Sequence, residues 1–152
     1  MIRIATIDII DCLVKFRIQL LKEVNKNIEN YNWNKYFEKL KYYYLDAFVN
    51  GKVVAFLAEE SGKIVAVSIM CFYNIVPLLS NLEGTIAFLS DMYTIPEYRN
   101  RGIGIKLLKS IMEYTKKLGY AKVVLNATDA GRKFYKKYGF KDIEGEMSYK
   151  YM

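Results

Sequence analysis

An apolar strand pattern, an arginine- and glycine-rich loop and an amphipathic helix pattern follow one another in the second half of the chain. The run TIAFLSDMYT (85–94) predicts a strand that ends before Pro96, because proline cannot donate to a sheet ladder. The loop RNRGIG (99–104) comes next. A helix is then predicted from Gly102 to Leu118, with Gly119 as its stop and with a core face of Leu107, Leu108, Ile111, Met112 and Leu118. This succession indicates an α/β architecture.

The segments before this unit predict a strand, two helices and a hairpin. IRIAT (2–6) favours a strand, and Asp8 is a candidate N-cap for a helix over 9–24. A second helix carries aromatic side chains at helical spacing from Trp33 to Phe48. The runs KVVAFLAEE and KIVAVSIMCFY predict two strands joined by a tight turn at Ser61-Gly62.

The segments after the unit predict a strand, a helix and two closing strands. AKVVLN (121–126) reads as a strand, and Thr128 or Asp129 can cap a helix whose core face is Ala130, Phe134 and Tyr138 and whose stop is Gly139. FKDI and EMSYKYM predict two short strands at the end. We therefore expect a single α/β (α+β) domain over 1–152, with one mixed, mostly antiparallel sheet of six to seven strands, about four helices and the order β-α-α-β-β-β-α-β-α-β-β.

Composition excludes several kinds of site. The 152 residues include no histidine, which removes Ser-His and Cys-His nucleophile pairs and His-ligated metal sites. Cys12 and Cys71 lie far apart with no metal-type neighbours, so they predict two buried thiols. The start MIRIATIDIID does not resemble a signal peptide and no run is long enough to cross a membrane, so we expect a cytoplasmic protein with no membrane association.

The positive charge is concentrated around the glycine loop. The chain carries a net charge of +7, yet the segment from Arg99 to Lys141 holds twelve Lys and Arg against two acids. The rest of the chain is slightly acidic. Such a segment either forms a solvated basic face or steers a polyanionic ligand toward a site.

The glycine loop is suited to phosphate. A helix N-terminus presents free backbone N–H groups, and glycines at 102 and 104 let a ligand approach them closely, while Arg99 and Arg101 can add charge. The alternative is that the glycines serve only a tight turn. The chain lacks a Gly-Lys-Ser/Thr sequence, and the strand after the loop ends at Asn126 without the acid that holds a dinucleotide ribose.

Two segments together resemble a known family. MYTIPEYRNRGIGIKLL and LNATDAGRKFYKKYGF, within Phe88 to Phe140, are similar to the coenzyme A-binding core of the GNAT superfamily of N-acetyltransferases. The resemblance implies a GNAT-like fold, acetyl-CoA as cofactor, and acetyl transfer to a primary amine in a ternary complex. It implies a small-molecule or peptide amine as acceptor and leaves a homodimer open.

The resemblance also implies roles for individual residues. The backbone of Arg99, Asn100, Arg101, Gly102, Ile103 and Gly104 would cradle the pyrophosphate, and the backbone of Met92, Tyr93 and Thr94 would pair with the pantetheine arm. Asn126, Gly131 and Phe134 would contact the cofactor. Thr128 and Gly131 stand where the family often has asparagine and alanine.

The catalytic residues predicted are Tyr135 and Asp91. Tyr135 matches the tyrosine that protonates the departing thiolate in many members, and its alternative is a packed aromatic ring. Backbone N–H groups at Met92 and Tyr93 are candidate oxyanion donors. Asp91 is the candidate base, ahead of Glu83 and Glu59, but it is equally compatible with a structural acceptor while water deprotonates the amine.

Two other functions remain compatible with these residues. A coenzyme A-binding sensor without turnover would share every binding residue, and a basic nucleic-acid-binding module would use the positive segment. We rank the enzyme first because Tyr135 and the cofactor loop occur together. The aromatic helix from Trp33 and the loop NIVPLLSNLEG further suggest a partly apolar acceptor cleft.

Overall fold

The computed structural model describes residues 1–152 and contains five strands and four α-helices. The strands are β1 (Ile2–Ile4), β2 (Val53–Glu60), β3 (Lys63–Asn74), β4 (Thr85–Thr94) and β5 (Val123–Val124). The helices are α1 (Ile10–Val24), α2 (Trp33–Val49), α3 (Ile103–Lys117) and α4 (Asp129–Tyr138).

The strands form one mixed sheet in the order β1-β2-β3-β4-β5. All neighbours pair antiparallel except β4 and β5, which pair parallel. The predicted fold class is confirmed, but the count of six to seven strands is wrong. The segments FKDI and EMSYKYM join no ladder, and every residue after Phe140 is exposed, so their alternating pattern has no sheet to pack against.

The hairpin between β2 and β3 has the predicted turn. Glu60 pairs with Lys63, which leaves Ser61 and Gly62 as a two-residue loop. Both have positive φ, 50° and 76°, as the tightest hairpin turns require. Their backbone thus fixes the register of β2 against β3.

Helices cover both faces of the sheet. On one face α1 and α2 bury Leu13, Val14 and Ala47 against the strands, and on the other α3 buries Leu107, Leu108 and Ile111. The predicted core residue Leu118 is 53% exposed, because it caps α3 where the helix leaves the sheet. Ala130, predicted on the core face of α4, is also exposed.

The start of α1 differs from the prediction. A 3₁₀ turn over Ile7–Ile9 precedes the helix, and Ile9 occupies the N-cap position without a side-chain hydrogen bond. The Asp8 carboxylate instead accepts a hydrogen bond from the Thr6 hydroxyl. Asp8 is therefore not the N-cap of α1.

A β-bulge in β4 determines where the sheet opens. Ile69 pairs with Asp91 and Met70 pairs with Leu89, so Ser90 is an extra residue without a partner in β3. Because strand side chains alternate, the extra residue reverses the faces. Leu89 packs on the α3 side, whereas Tyr93 packs on the α1 and α2 side.

Beyond the bulge the outer edge of β4 has no strand beside it. The short β5 pairs only with Ala87 and Phe88, before the bulge. The two parallel strands therefore separate where β4 continues to Thr94. This separation positions the cleft described below.

The N-cap of α4 offers a test of how that helix is held. The Thr128 hydroxyl accepts a hydrogen bond from the Gly131 amide at 3.0 Å. We predict that Thr128→Ala lowers the free energy of unfolding by about 1 kcal/mol, because an orphan helix amide loses its partner. Urea denaturation measures this. Thr128→Ser, which keeps the capping oxygen, is the matched control, and an alanine variant as stable as the parent would contradict the capping role.

Candidate functional site

A cleft of about 400 Å³ lies where β4 and β5 separate. Its walls come from α1, the end of β4, the start of α3, and α4 with the loop before it. The side chains and backbone that line it are those of Arg17, Leu20, Leu21, Glu23, Val24, Ser90, Met92, Tyr93, Thr94, Arg99, Gly104, Asn126, Thr128, Gly131, Phe134 and Tyr135.

One end of the cleft presents a run of free backbone amides. The amides from Asn100 to Ile105 donate no hydrogen bond within the protein, and the first bonded amide is that of Lys106, which donates to the Gly102 carbonyl at 3.3 Å. Asn100 and Gly102 have positive φ, 62° and 77°, which turns successive amides toward one side. The arrangement has the geometry of an anion-binding loop at a helix N-terminus.

The Arg99 amide does not belong to this run. It donates to the Pro96 carbonyl at 3.2 Å and closes the 3₁₀ turn before the loop. The run of free amides therefore begins at Asn100, one residue after the start of the predicted cradle.

The space beside Gly104 is free of protein backbone. A Cβ built there would meet only the Phe134 ring, at 3.7 and 3.8 Å, which is ordinary van der Waals contact. The folded protein does not itself need glycine at this position, whose φ is not positive. The absence of a side chain leaves room in the cleft.

The side chain of Arg99 is engaged with α1. Its Nε donates to the Thr94 carbonyl at 2.8 Å, and its Nη2 donates to both carboxylate oxygens of Glu23, at 2.7 and 3.0 Å. The Tyr93 hydroxyl donates to the same Glu23 carboxylate at 2.9 Å. In this structure the guanidinium bridges β4 and α1 across the cleft wall, and a phosphate contact from Arg99 stays a prediction. Arg101 has no ion pair, and its guanidinium lies 4.8 Å from the centre of the Tyr98 ring.

The free edge of β4 exposes the backbone of two residues. Ile95 donates to the Val65 carbonyl of β3, whereas the Thr94 carbonyl accepts from Arg99 on the opposite edge. Backbone groups alternate between the two edges of a strand. The N–H and C=O of Met92 and the N–H of Thr94 therefore face the cleft, and those of Tyr93 face β3.

Tyr135 lies on α4 with its ring packed and its hydroxyl free. The ring contacts Phe134 and Phe140 edge-on, with centroids 5.2 and 5.6 Å apart. A Cβ on Gly131 would come within 3.3 Å of this ring and 3.1 Å of the Thr128 hydroxyl, so a larger residue there would have to shift these side chains slightly. The Tyr135 hydroxyl has no protein partner. Burial, and then the negative charge of Asp91, raise the pKa of Tyr135 to about 12.

Asp91 forms a buried ion pair with Arg17. The Asp91 residue is 2% exposed; its Oδ1 accepts from Arg17 Nη1, and its Oδ2 is buried without a partner. Burial raises the pKa of the Asp91 carboxyl, and the Arg17 charge opposes that rise. Arg17 lines the cleft and Asp91 does not. Of the weaker candidates for the base, Glu59 pairs with Arg3 and Glu83 is exposed in the loop before β4.

A second cavity lies on the other side of α4. It measures about 820 Å³ and is bounded by β5, α4 and the segment after Phe140. It contains neither the free amides of the loop nor the open edge of β4. We therefore assign the chemistry to the smaller cleft.

Comparison with known proteins agrees with this geometry. The model of the acetyltransferase (GNAT) family matches residues 18–140, which is well over half of the chain. The chain belongs to the GNAT family. The resemblance stated from the sequence is thereby confirmed, as is acetyl-CoA as the cofactor of this acyltransferase fold.

Relatives and solved structures support the same GNAT assignment. An acetyltransferase from Clostridium acetobutylicum, crystallised with acetyl-CoA, is 28% identical with a TM-score of 0.88 over 99% of this chain and 95% of its own. Glucosamine 6-phosphate N-acetyltransferase of Trypanosoma brucei brucei is 29% identical over 60% of each chain. Thialysine N-epsilon-acetyltransferase of Mus musculus is 31% identical over 49% of this chain and 47% of its own. The matches thus span about half the length of these curated relatives.

The GNAT cleft unites most of the predicted site residues. Eight of the predicted cofactor residues line it, namely Met92, Tyr93, Thr94, Arg99, Gly104, Asn126, Gly131 and Phe134, together with Tyr135. Asn100, Arg101 and Gly102 lie in the adjoining loop, and Ile103 is buried. No residue of the apolar loop 75–84 lines this cleft, so a contribution of that loop to the acceptor site stays a prediction. None of the helices has the length and apolar character of a membrane crossing.

Arg17, Glu23 and the Ser90 bulge were not among the residues predicted from the sequence. Arg17 could have been found, because it interrupts the apolar spacing of α1 that Leu13 and Leu21 continue on either side. Glu23 and Ser90 carry no such signal. Their importance depends on contacts between segments about 70 residues apart.

Gly104 provides a direct test of cofactor approach. We predict that Gly104→Val weakens coenzyme A binding at least tenfold, or about 1.4 kcal/mol, because the added side chain occupies the space beside the free amides. Titration calorimetry measures the affinity, and circular dichroism checks the fold. Ser110→Val, a similar change further along α3, is the control. A folded Gly104→Val variant with unchanged affinity would contradict the phosphate role of the loop.

Proposed function

We propose that this protein is an N-acetyltransferase that transfers an acetyl group directly from acetyl-CoA to a primary amine within a ternary complex. The observation that carries the proposal is the placement of Tyr135. Tyr135, whose hydroxyl has no protein partner, lines the same cleft as the open edge of β4, and the free amides of the loop adjoin this cleft. A cofactor loop and a proton donor are thus combined in one cleft.

The loop would hold the phosphates. The free amides from Asn100 to Ile105 and the N-terminal dipole of α3 suit the pyrophosphate, and the unpaired Arg101 can add charge. The bridge between Arg99 and Glu23 would fix the wall beside it. This assigns Arg99 to positioning rather than to a direct phosphate contact.

The strand edge would hold the pantetheine arm. The Met92 N–H and C=O and the Thr94 N–H face the cleft, so an extended amide chain can pair with them like an added strand. Asn126, Gly131 and Phe134 line the opposite wall, where the arm would pass between α4 and β4.

When bound, the cofactor supplies an acetyl thioester. The amine nitrogen forms a bond to the carbonyl carbon, and the bond from that carbon to sulfur breaks. The amine loses one proton and the leaving thiolate gains one. The Met92 N–H would stabilise negative charge on the carbonyl oxygen, and the Tyr135 hydroxyl would protonate the thiolate. Neither Cys12 nor Cys71 lines the cleft, which favours direct transfer without an acyl-enzyme.

Asp91 is poorly placed to remove the amine proton. Its carboxylate is buried behind Arg17 and already accepts a charged hydrogen bond. Of the roles left open by the sequence, this contact favours a structural acceptor, with water taking the proton. Asp91 as the base stays a prediction that Asp91→Asn can test.

The acceptor would be a small-molecule or peptide amine. The two named relatives act on glucosamine 6-phosphate and thialysine, both of which carry a primary amine. Their acceptors differ greatly in shape. Similarity to these relatives therefore supports the type of reaction but does not identify the substrate. The single domain over 1–152 and the cytoplasmic location stay predictions.

Tyr135→Phe tests the proposed reaction. We predict a fall in kcat of about 10²- to 10⁴-fold with unchanged coenzyme A affinity, because the ring packing remains while the proton donor is lost. With a pKa of about 12, the hydroxyl stays protonated through the usual assay range. Ionisation of Tyr135 should therefore cause no fall in kcat below about pH 11. A tyrosine with the ordinary pKa of about 10 would cause such a fall near pH 10.

Thiol release from acetyl-CoA with a panel of amines is the assay, and mass spectrometry identifies the product. Tyr138→Phe is the control, since that ring packs near Phe140 and is absent from the cleft. A change in kcat of less than about threefold in Tyr135→Phe, with chemistry rate-limiting, would exclude the acid role. Cofactor binding without turnover of any amine would favour a coenzyme A sensor.

A further inference from the structure

Arg17 is a charged residue on the apolar face of α1. Leu13 and Val14, one turn earlier on this face, are fully buried, and Leu21, one turn later, lines the cleft. The Arg17 side chain is 28% exposed and reaches the cleft wall. A charge placed so deeply requires a function or a compensating partner.

Asp91 compensates only part of the guanidinium. Nη1 donates to Asp91 Oδ1 and lies 3.5 Å from the Ser90 carbonyl oxygen. Nε and Nη2 donate no hydrogen bond within the protein. A guanidinium has five N–H groups, so the three on Nε and Nη2 donate to no protein acceptor, and two of them lie parallel along one edge. This edge has the geometry that accepts a carboxylate or phosphate through two parallel hydrogen bonds.

The guanidinium is permanently charged. Burial alone would lower the pKa of Arg17, but the Asp91 carboxylate and the Tyr36 hydroxyl beside it raise the pKa above its ordinary value. Asp91 thereby fixes the Nη1 side of the group, and the Tyr36 hydroxyl is a second side-chain hydrogen-bonding group beside it. Asp91 is a positioning residue in this arrangement.

Arg17 lies at the reacting end of the cleft. It contacts the bulge at Ser90, two residues before Met92, whereas Glu23 and Arg99 lie at the phosphate end. Tyr135 lines the same cleft, and the negative charge of Asp91 contributes to its raised pKa. An amine that attacks beside Met92 would therefore place its neighbouring substituents near Arg17.

The cleft offers no free carboxylate to a second ammonium group. Glu23 is its single acidic residue, and both oxygens of Glu23 accept from Arg99. Tyr93 occupies the same carboxylate. The charges at the site thus disfavour a polyamine and favour an acceptor that carries negative charge.

We propose that the free edge of the Arg17 guanidinium binds an anionic group of the acceptor, so that the substrate is a primary amine bearing a carboxylate or a phosphate. This inference rests on the proposed acetyl transfer. It assigns Arg17 to acceptor specificity and not to the cofactor.

Matched acceptor pairs test the inference. One pair is an α-amino acid with a side-chain amine and its carboxamide, and the other is a phosphorylated amino sugar and the unphosphorylated sugar. We expect the anionic member of at least one pair to have a kcat/KM at least tenfold higher. The pair that shows the preference identifies whether Arg17 binds a carboxylate or a phosphate.

Arg17→Gln should remove this preference. The expected result is a loss of at least tenfold in kcat/KM for the anionic acceptor, mainly through KM, with less than threefold change for its neutral partner and for acetyl-CoA affinity. Arg3→Gln is the control, because Arg3 also forms an ion pair, with Glu59, but does not line the cleft. Arg17→Lys, which keeps the charge without the fork, should give an intermediate loss.

Arg17→Gln leaves the buried Asp91 carboxylate without its charged partner, which destabilises the fold. Arg17→Gln/Asp91→Asn is therefore a charge-balanced second variant. Equal losses for both members of a pair in the folded variants would overturn the inference. Turnover of neutral amines alone in the parent would also overturn it and leave the acetyltransferase intact. Cofactor binding without turnover of any amine would contradict the proposed function, and this inference with it.

Discussion

The single extra residue in β4 is the constraint on which the rest of the site depends. Ser90 has no partner in β3, so the strand changes face at that point and separates from β5. The separation frees the backbone of Met92 and Thr94 along one edge. It also turns Asp91 toward α1, where the carboxylate meets Arg17. A regular strand would place Asp91 on the opposite face and close the cleft.

Backbone groups and charged side chains have different roles in this cleft. The groups that suit the cofactor are mostly backbone amides, from the open strand edge and from the loop that begins at Asn100. The charged side chains around them largely bind each other, as in the bridge from Arg99 to Glu23. A fixed frame of this kind lowers the entropic cost of ordering the site when a ligand binds. Arg17 is the exception, since part of its guanidinium remains free.

The sequence predicted the elements that local patterns specify. The strand over 85–94 was predicted at its observed bounds, and the turn at Ser61-Gly62 and the cap at Thr128 are confirmed. Contacts between distant segments were missed. The Glu23 carboxylate, which accepts from the Arg99 side chain, lies 76 positions earlier and leaves no local signal. The closing strand EMSYKYM has the right alternation, but alternation cannot supply a neighbouring strand.

The central claim is that the free amides of the loop and of the β4 edge bind the cofactor. Residue-resolved amide hydrogen exchange, measured by NMR with and without coenzyme A, tests it most directly. The account predicts new protection at the amides from Asn100 to Ile105 and at Met92 and Thr94. It predicts little change at Arg99, whose amide is already bonded within the protein. Protection confined to the cavity behind α4, with no change in the loop, would contradict the account.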